Sequence, residues 1–381
     1  MPWGALVLLA AMGFVLISAE TMPAGLLPVI ASGLDTSESV IGQFISVWAL
    51  GTVVVTIPAI SLTRSLRRKP LLLASIAGLV ITNTTTAVSD DVTLSLISRF
   101  VGGAFCGIIW GILAAYGRKI SPPHRSGLAL AIVSTGAPLG FALGTPLGSS
   151  LGTAFGWQWA FGGLTAAAVI IGTLIAICVP DAPGQSATNT RLPLRRVFIM
   201  PGVPIILVVI AVWMLAHNTI YTYIAPYLRA TATGLAPDLV LLVYGIASLA
   251  GIGVVAILID RSPQLLLHAS VALFIAAALI FLIGHTSPAA VLLASGLWGL
   301  SFGGAAAQLQ SALTRAGREN SDVANSFLPV AFNLAIAAAG ITGAILLDHT
   351  SALALAALMA ALGTVTLILT LTGRRTAFTS A

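Results

Sequence analysis

Charge is what this 381-residue sequence has least of. Asp, Glu, Lys and Arg together supply 7% of it, and only 11 residues are acidic; soluble domains carry about a quarter charged residues. With 58% hydrophobic residues and a mean hydropathy of +1.05, a soluble globule is excluded, because a chain of this length cannot hide so much apolar surface. The two cysteines, Cys106 and Cys178, both sit inside apolar runs, so no disulfide framework is implied and nothing follows about redox compartment. Short strands of alternating polarity are missing, which excludes a membrane barrel. No H-E-x-x-H, C-x-x-C, Walker loop or dinucleotide fingerprint occurs, so no metal or cofactor is expected and the chain is not expected to hydrolyse ATP. Residues 148–152, GSSLG, have the spelling of a nucleophile elbow. They end a glycine-striped apolar run where a strand–turn–helix would be needed, so the expectation is no enzyme.

What is present is long apolar runs, each close to the ~20 residues that span a hydrocarbon core as a helix. Twelve are expected: 5–30, 39–62, 71–88, 92–115, 127–150, 157–180, 202–228, 238–260, 264–284, 289–314, 323–346 and 351–372. The first is too long for a signal-peptide core and is preceded by no basic residue, so it reads as an uncleaved span. The fold class is an all-α membrane protein.

The cations follow the even-numbered spans: Arg64, Arg67, Arg68 and Lys69, then Arg118, Lys119 and Arg125, then Arg191, Arg195 and Arg196, then Arg261, then Arg315 and Arg318, then Arg374 and Arg375. The opposite loops hold Arg229 beside Asp35, Glu38, Asp90, Asp91, Asp238 and Asp348. By the positive-inside rule both termini are cytoplasmic. The basic loops thus read as topology signals, not as a nucleic-acid site; a polybasic lipid contact at 67–69 stays open.

Residues 181–200, DAPGQSATNTRLPLRRVFIM, form the longest polar segment and read as a cytoplasmic linker between a 1–180 bundle and a 201–381 bundle. Sliding the sequence on itself by 197 positions sets Glu20 on His217, Arg64 on Arg261, Ser98 on Ser295, Gly102 on Gly299, Phe105 on Phe302 and Arg118 on Arg315. A shared offset across spans 1, 2 and 4 indicates two pseudo-symmetric six-helix halves, parallel repeats of the kind that transporters use.

Several stretches carry a resemblance: AETMPAGLLPVIASGL in span 1, LISRFVGGAFCGIIWG in span 4, GAPLGFALGTPLGSSLG in span 5, HNTIYTYIAPYL in span 7 and DVANSFLPVAFNLAIAAAG in span 11. With the 6+6 repeat and central linker, the whole length resembles the major facilitator superfamily, and within it the drug:proton antiporters near the sugar, arabinose and chloramphenicol efflux branch. The resemblance implies the major facilitator fold, a central cavity lined by spans 1, 4, 7 and 10, a functional monomer, and a multi-pass protein of the bacterial inner (plasma) membrane. The family's loop after span 2 reads G-x-L-x-D-R-x-G-R-K. Here AISLTRSLRRK keeps Arg64, Arg67 and Arg68 but has Thr63 for the aspartate, whereas the second half has Asp260-Arg261. Gating is accordingly assigned to Arg64, Arg67, Asp260 and Arg261. The glycine-proline stripe of span 5, with Gly140, Gly144, Pro146 and Gly148, is counted with them; its glycines at every fourth residue, from Gly136 to Gly152, leave one smooth helix face for a close partner.

Glu20 is the one acid well inside a span, about 15 residues or roughly 22 Å from the inner end. Arg99 lies about 7 residues, roughly 10 Å, into span 4 from outside, at a similar depth. A Glu20–Arg99 pair is therefore expected across the cavity. Burial and a nearby arginine pull a carboxyl's proton affinity in opposite directions, so a change of hydration or distance would couple conformation to protonation. The competing reading is a fixed ion pair pinning spans 1 and 4. Pro23 and Pro28 are expected to bend span 1 near Glu20, as Pro226 bends span 7 after His217.

A substrate wall is expected from His217, Asn218, Tyr221 and Tyr223 of span 7, with Trp110, Trp298 and Asn333; interhelical hydrogen bonding alone is the rival explanation for the span 7 residues. The expected activity is proton-coupled secondary transport that exports a small molecule, such as a sugar, nucleoside or drug-like compound, by alternating access, with the proton gradient as energy source. Uptake by symport or facilitated diffusion is the alternative. Rivals from other classes are a membrane-embedded enzyme, which needs convergent nucleophile, base or metal ligands, and a transporter-like sensor, which needs a soluble domain. The expected partners are the substrate, protons and the lipid bilayer, with no nucleic acid.

Overall fold

A computed structural model describes residues 1–63, 65–184, 194–373 and 377–378. Arg64, and most of the polar stretch of the expected linker, lie outside the described residues. The described residues are helical throughout their regular structure and contain no strand. This is what hydrocarbon demands, since a helix satisfies its own backbone. Twelve helical stretches are long and apolar enough to cross a membrane. Their outward faces carry Ile81, Ile170, Ile177, Ile257, Leu265 and Ile283, each more than half exposed, as lipid contact requires and water would penalise.

Helices are numbered in chain order. Span 1 is α1 (Trp3–Thr21) with α2 (Pro23–Gly33), span 2 is α3 (Glu38–Thr63), span 3 is α4 (Arg68–Val88) and span 4 is α5 (Val92–Lys119). Span 5 is α6 (Ser126–Ser134), α7 (Gly136–Leu139), a π turn over Gly140–Gly144 and α8 (Thr145–Phe155); span 6 is α9 (Trp157–Cys178). A short α10 (Leu194–Phe198) precedes span 7, which is α11 (Val203–Thr222) with α12 (Ile224–Thr231). Spans 8 and 9 are α13 (Pro237–Leu258) and α14 (Pro263–Ile283), span 10 is α15 (Pro288–Phe302) with α16 (Ala305–Gly317), and spans 11 and 12 are α17 (Ser321–His349) and α18 (Ala354–Thr372).

Four spans expected as single runs are therefore broken, each for a local reason. Pro23 has no N–H for the carbonyl of Ala19, so α1 stops at Thr21 and α2 starts afresh with proline in its first turn. Pro28, by contrast, is carried inside α2. Pro226 has no N–H for Thr222, and span 7 breaks at Tyr223 (φ −108°, ψ 29°). Pro146 follows the π turn of span 5, which takes up the lost register. Span 10 breaks at the Gly303-Gly304 pair.

The chain divides into two compact units, Met1–Asn189 and Thr190–Ala381. Within the first, span 4 packs on spans 2 and 3, span 3 on span 6, and span 1 on spans 5 and 6; within the second, span 10 packs on 8 and 9, 9 on 12, and 7 on 11 and 12. The same pairings recur, so the halves share one architecture.

The repeat register differs from the expected 197. In the first unit a Cβ on Gly103 would strike the backbone carbonyl of Trp48, Gly107 lies against Thr52, and Arg99 donates to the Phe44 carbonyl. In the second, Gly299 meets the Tyr244 carbonyl, Gly303 meets Ser248, and Ser295 donates to the Val240 carbonyl. Every residue of these three contacts differs from its counterpart by 196. Backbone crossing points of spans 2 and 4 fix the register, because only glycine lets two helices approach that closely. Letter matching at 197 missed it by one, and the mate of Arg99 is Ser295.

Candidate functional site

Glu20 occupies the last turn of α1, where the break at Pro23 frees carbonyls from the helix ladder. Polar contacts tie this stretch to other helices, as hydrocarbon favours. Ser149 of α8 donates to the carbonyl of Gly25 at 3.1 Å, and Thr21 and Thr145 share a hydroxyl hydrogen bond of 2.6 Å. Arg99 of α5 donates through Nη2 to the carbonyl of Glu20 at 3.3 Å and through Nε to that of Phe44 at 3.4 Å.

The arginine is 1% exposed. Its guanidinium lies 4.2 Å from the centre of the Trp48 ring and 5.7 Å from that of Phe161, a contact worth about 2 kcal/mol when desolvated. Nη1 has no hydrogen-bond partner.

The structure thus brings Glu20 and Arg99 together, but not as the expected ion pair. The guanidinium holds the backbone of Glu20, and no side chain among the described residues pairs with the Glu20 carboxylate. The carboxyl itself remains on a residue 7% exposed.

The span 5 glycines flank this point. A Cβ on Gly140 would come within 2.8 Å of Ile17 Cβ, one on Gly144 within 2.8 Å of Ser18 Cβ, and one on Gly148 within 2.6 Å of Met22 Sδ. The stripe is the bearing surface between span 5 and both sides of Glu20, and Pro146 sits in that same stretch at the start of α8. Trp110, expected in a substrate wall, is half-buried in the first unit and lies over Gly13 of α1.

In the second unit the aromatic side chains of spans 7, 8 and 10 close around His217. Trp298 Nε1 donates to His217 Nδ1 at 3.0 Å, and Phe302 stacks on the imidazole at 3.6 Å and 7°. Tyr221, one turn along α11, lies 5.4 Å from His217, and Tyr244 of α13 lies 4.4 Å from Trp298. His217, Tyr221, Tyr244 and Trp298 are all buried. An imidazolium would carry a proton on Nδ1 and lose the indole bond, so this arrangement needs the neutral ring.

Other expected members lie elsewhere. Asn218 donates to the Met214 carbonyl of its own helix at 2.9 Å. Tyr223 is fully buried, with its hydroxyl on the Gly340 carbonyl of α17 at 2.7 Å and its ring against Gly343; it fastens span 7 to span 11 at the break. Asn333 donates to Pro329 of its own helix at 2.9 Å.

Tyr244, Phe302, Trp48 and Phe44 were not anticipated. Phe44 and Trp48 stand one turn apart in span 2, a signal available in the sequence; Phe302 stood in the repeat comparison as the mate of Phe105.

Of the expected gate residues, Arg67 pairs with an unanticipated partner. Its Nε lies 2.6 Å from Asp181 Oδ2. The other oxygen of Asp181 accepts from the backbone N–H groups of Lys69 at 3.0 Å and Ala182 at 2.8 Å, so it caps the start of α4. Lys119 and Tyr116 donate to the carbonyls of Pro183 and Pro180 at 2.6 and 2.8 Å. The exit of span 6 is thereby clasped to the basic ends of spans 3 and 4. Burial alone would raise the Asp181 carboxyl. The two N–H groups and the Arg67 guanidinium outweigh it and hold the group below its ordinary value. Asp260 and Arg261, also assigned to the gate, are both exposed, and no salt bridge joins them.

The family model described as Major Facilitator Superfamily matches residues 9–339. Two chloramphenicol efflux pumps, from two strains of Mycobacterium tuberculosis, are 28% and 27% identical over 368 residues, with 92% of this chain and 87% of each pump covered. Among solved structures, a mutant of the nucleoside transporter NupG superposes with a TM-score of 0.79 at 13% identity, covering 97% of this chain and 98% of that one. A mutant of the peptide transporter POT gives 0.75 at 14% identity, covering 98% and 94%. At such identities the structural likeness speaks to the fold alone.

Proposed function

The chain belongs to the major facilitator superfamily and is a multi-pass membrane transporter; from that premise we propose that it exports a small, partly aromatic molecule in exchange for protons, by alternating access. The observation that carries this reading is the state of the Glu20–Arg99 site. A buried guanidinium keeps Nη1 without a hydrogen bond beside a carboxyl that makes no hydrogen bond or ion pair among the described residues. Two arrangements are open to such a site. The protonated carboxyl leaves Arg99 on the backbone carbonyl. The ionised carboxylate takes the free Nη1, because an unpaired charge at this depth is costly. The exchange between them changes what Arg99 demands of span 1, and the smooth glycine face of span 5 is the surface on which span 1 packs. Arg99 therefore acts as a positioning residue for the proton carrier Glu20.

The aromatic group around His217, Tyr221 and Trp298 is the proposed substrate contact, packed shut in this conformation. Stacking surfaces with few polar groups suit a flat, weakly polar ring compound. The efflux pumps among the relatives support a drug-like substrate, and chloramphenicol is the first compound to try.

Cytoplasmic termini, residence in the inner membrane and a monomeric unit complete the proposal. The clasp at Asp181 does the work of the carboxylate that Thr63 lacks, tying the Arg67 loop to the end of span 6. The test is transport of labelled chloramphenicol in inverted and right-side-out vesicles under an imposed pH gradient, with Glu20→Gln alongside. Accumulation in inverted vesicles alone supports export; accumulation in right-side-out vesicles reverses the direction to uptake.

A further inference from the structure

At the basic end of the second unit, the start of α14, the second half of α16 and Phe378 enclose a pocket of about 260 Å³, most of it open. Its enclosed part is about the size of one water molecule. Gln308 and Arg315 of α16 line it, seven residues apart and so on one helix face.

Gln308 is 4% exposed, and its amide nitrogen shares a 3.0 Å hydrogen bond with Ser270 Oγ while the other end of the amide has no partner. A serine hydroxyl gives or takes a hydrogen bond equally well. The amide can therefore be reversed, its oxygen taking the serine hydroxyl and its NH2 group left without a partner. Arg315 gives Nη1 to Ser311 Oγ at 2.7 Å and keeps a buried Nε–H without a partner. No acid lines the pocket. Asp260 and Glu319, close by in sequence, are exposed, and neither pairs with Arg315. Arg261 and Arg318, exposed at the same end, add positive charge.

Arg315 Nε–H and, once reversed, the Gln308 amide thus offer two donors, one of them charged, on residues that line a niche without a counter-ion, in a part of the molecule where a partly buried cation needs one. We propose that the pocket binds a phosphoryl group, with one anionic oxygen seated between Arg315 Nε and the Gln308 amide and the remainder in the open part. The group comes from an anionic lipid headgroup or from free phosphate. The proposal is independent of the transport reading, since neither Glu20 nor the aromatic group takes part.

Native mass spectrometry of the purified full chain tests it, with phosphatidylglycerol, phosphatidylcholine and inorganic phosphate titrated separately. Phosphatidylglycerol retained at least tenfold more tightly than phosphatidylcholine supports a lipid source, whereas saturable binding of inorganic phosphate without lipid preference supports free phosphate. In either case Arg315→Met and Gln308→Leu must each lower retention at least tenfold, and Arg125→Met, an exposed cation of the first unit, must leave it within twofold. Size-exclusion profiles identify a variant that has lost its fold, and the remaining variant then decides. Retention unchanged in the folded Arg315 or Gln308 variant, or no retention of any phosphate probe, overturns the proposal and leaves the niche to water.

Discussion

Glu20→Gln separates a proton carrier from a fixed strut. Gln keeps the backbone carbonyl that Arg99 holds at 3.3 Å, and the carboxylate it replaces makes no bond to a described side chain. Stability should therefore change by less than about 1 kcal/mol. A structural ion pair broken at this depth would instead cost about 3–5 kcal/mol. Coupling should be lost altogether. One carboxyl carries one proton per cycle, and a proton moving down one pH unit releases about 1.4 kcal/mol, a tenfold concentration ratio. A membrane potential of 100 mV adds about 2.3 kcal/mol for a neutral substrate, roughly another 50-fold. The wild type should thus concentrate substrate toward a ceiling of about 500-fold under both gradients, and Glu20→Gln should equilibrate at a ratio of one while still catalysing substrate–substrate exchange. Inverted vesicles loaded with either gradient, read by labelled substrate at steady state and by counterflow, measure both quantities. A variant that still accumulates substrate refutes the proton role; one that melts with a loss of about 3 kcal/mol or more identifies a strut.

Three further outcomes follow from the contacts. Gly144→Val places a branched side chain on Ser18 and Phe14 and should cost about 1–3 kcal/mol with loss of transport, whereas Gly162→Ala, with nothing within 4 Å, should be neutral or slightly stabilising in detergent melts. Tyr223→Phe should cost about 0.5–1.5 kcal/mol by removing the hydroxyl's hydrogen bond to the Gly340 carbonyl while leaving the substrate range unchanged; Trp298→Ala, which opens the aromatic group, should abolish stabilisation by substrate in the same assay. The Asp181 clasp has a depressed carboxyl, so its contribution is full above the unfolded-chain value of about 3.9 and is lost as the pH falls through the lower folded value. Hydrogen exchange at residues 181–184 and at the start of α4 should be flat in pH, after correction for intrinsic rates, from neutrality to about pH 5. It should rise in stronger acid, and in Asp181→Asn it should already be raised from neutrality to about pH 5.

Much of this molecule was written in its letters. Apolar runs of span length, cations after every even span and a repeated pattern announced twelve helices in two like halves, because hydrocarbon thickness and backbone hydrogen bonding leave a greasy chain few other choices. Glu20, Arg99, Pro23 and the span 5 glycines were also legible, since a charge, a proline or a glycine repeat in oil stands out against its background. Register was less so: the offset of 197 came from matching letters, and the true 196 from where glycine backbones cross.

Partnerships were decided by tertiary structure alone. Nothing local says that Arg99 would grip the carbonyl of Glu20 in preference to its carboxylate, that Tyr223 would spend its hydroxyl on span 11, or that the acid for Arg67 would come from Asp181, more than a hundred residues away. A side chain's type is fixed by its codon and its depth by its place in a span. Which buried polar group it meets depends on how helices distant in sequence rotate against one another, and that rotation is settled by packing.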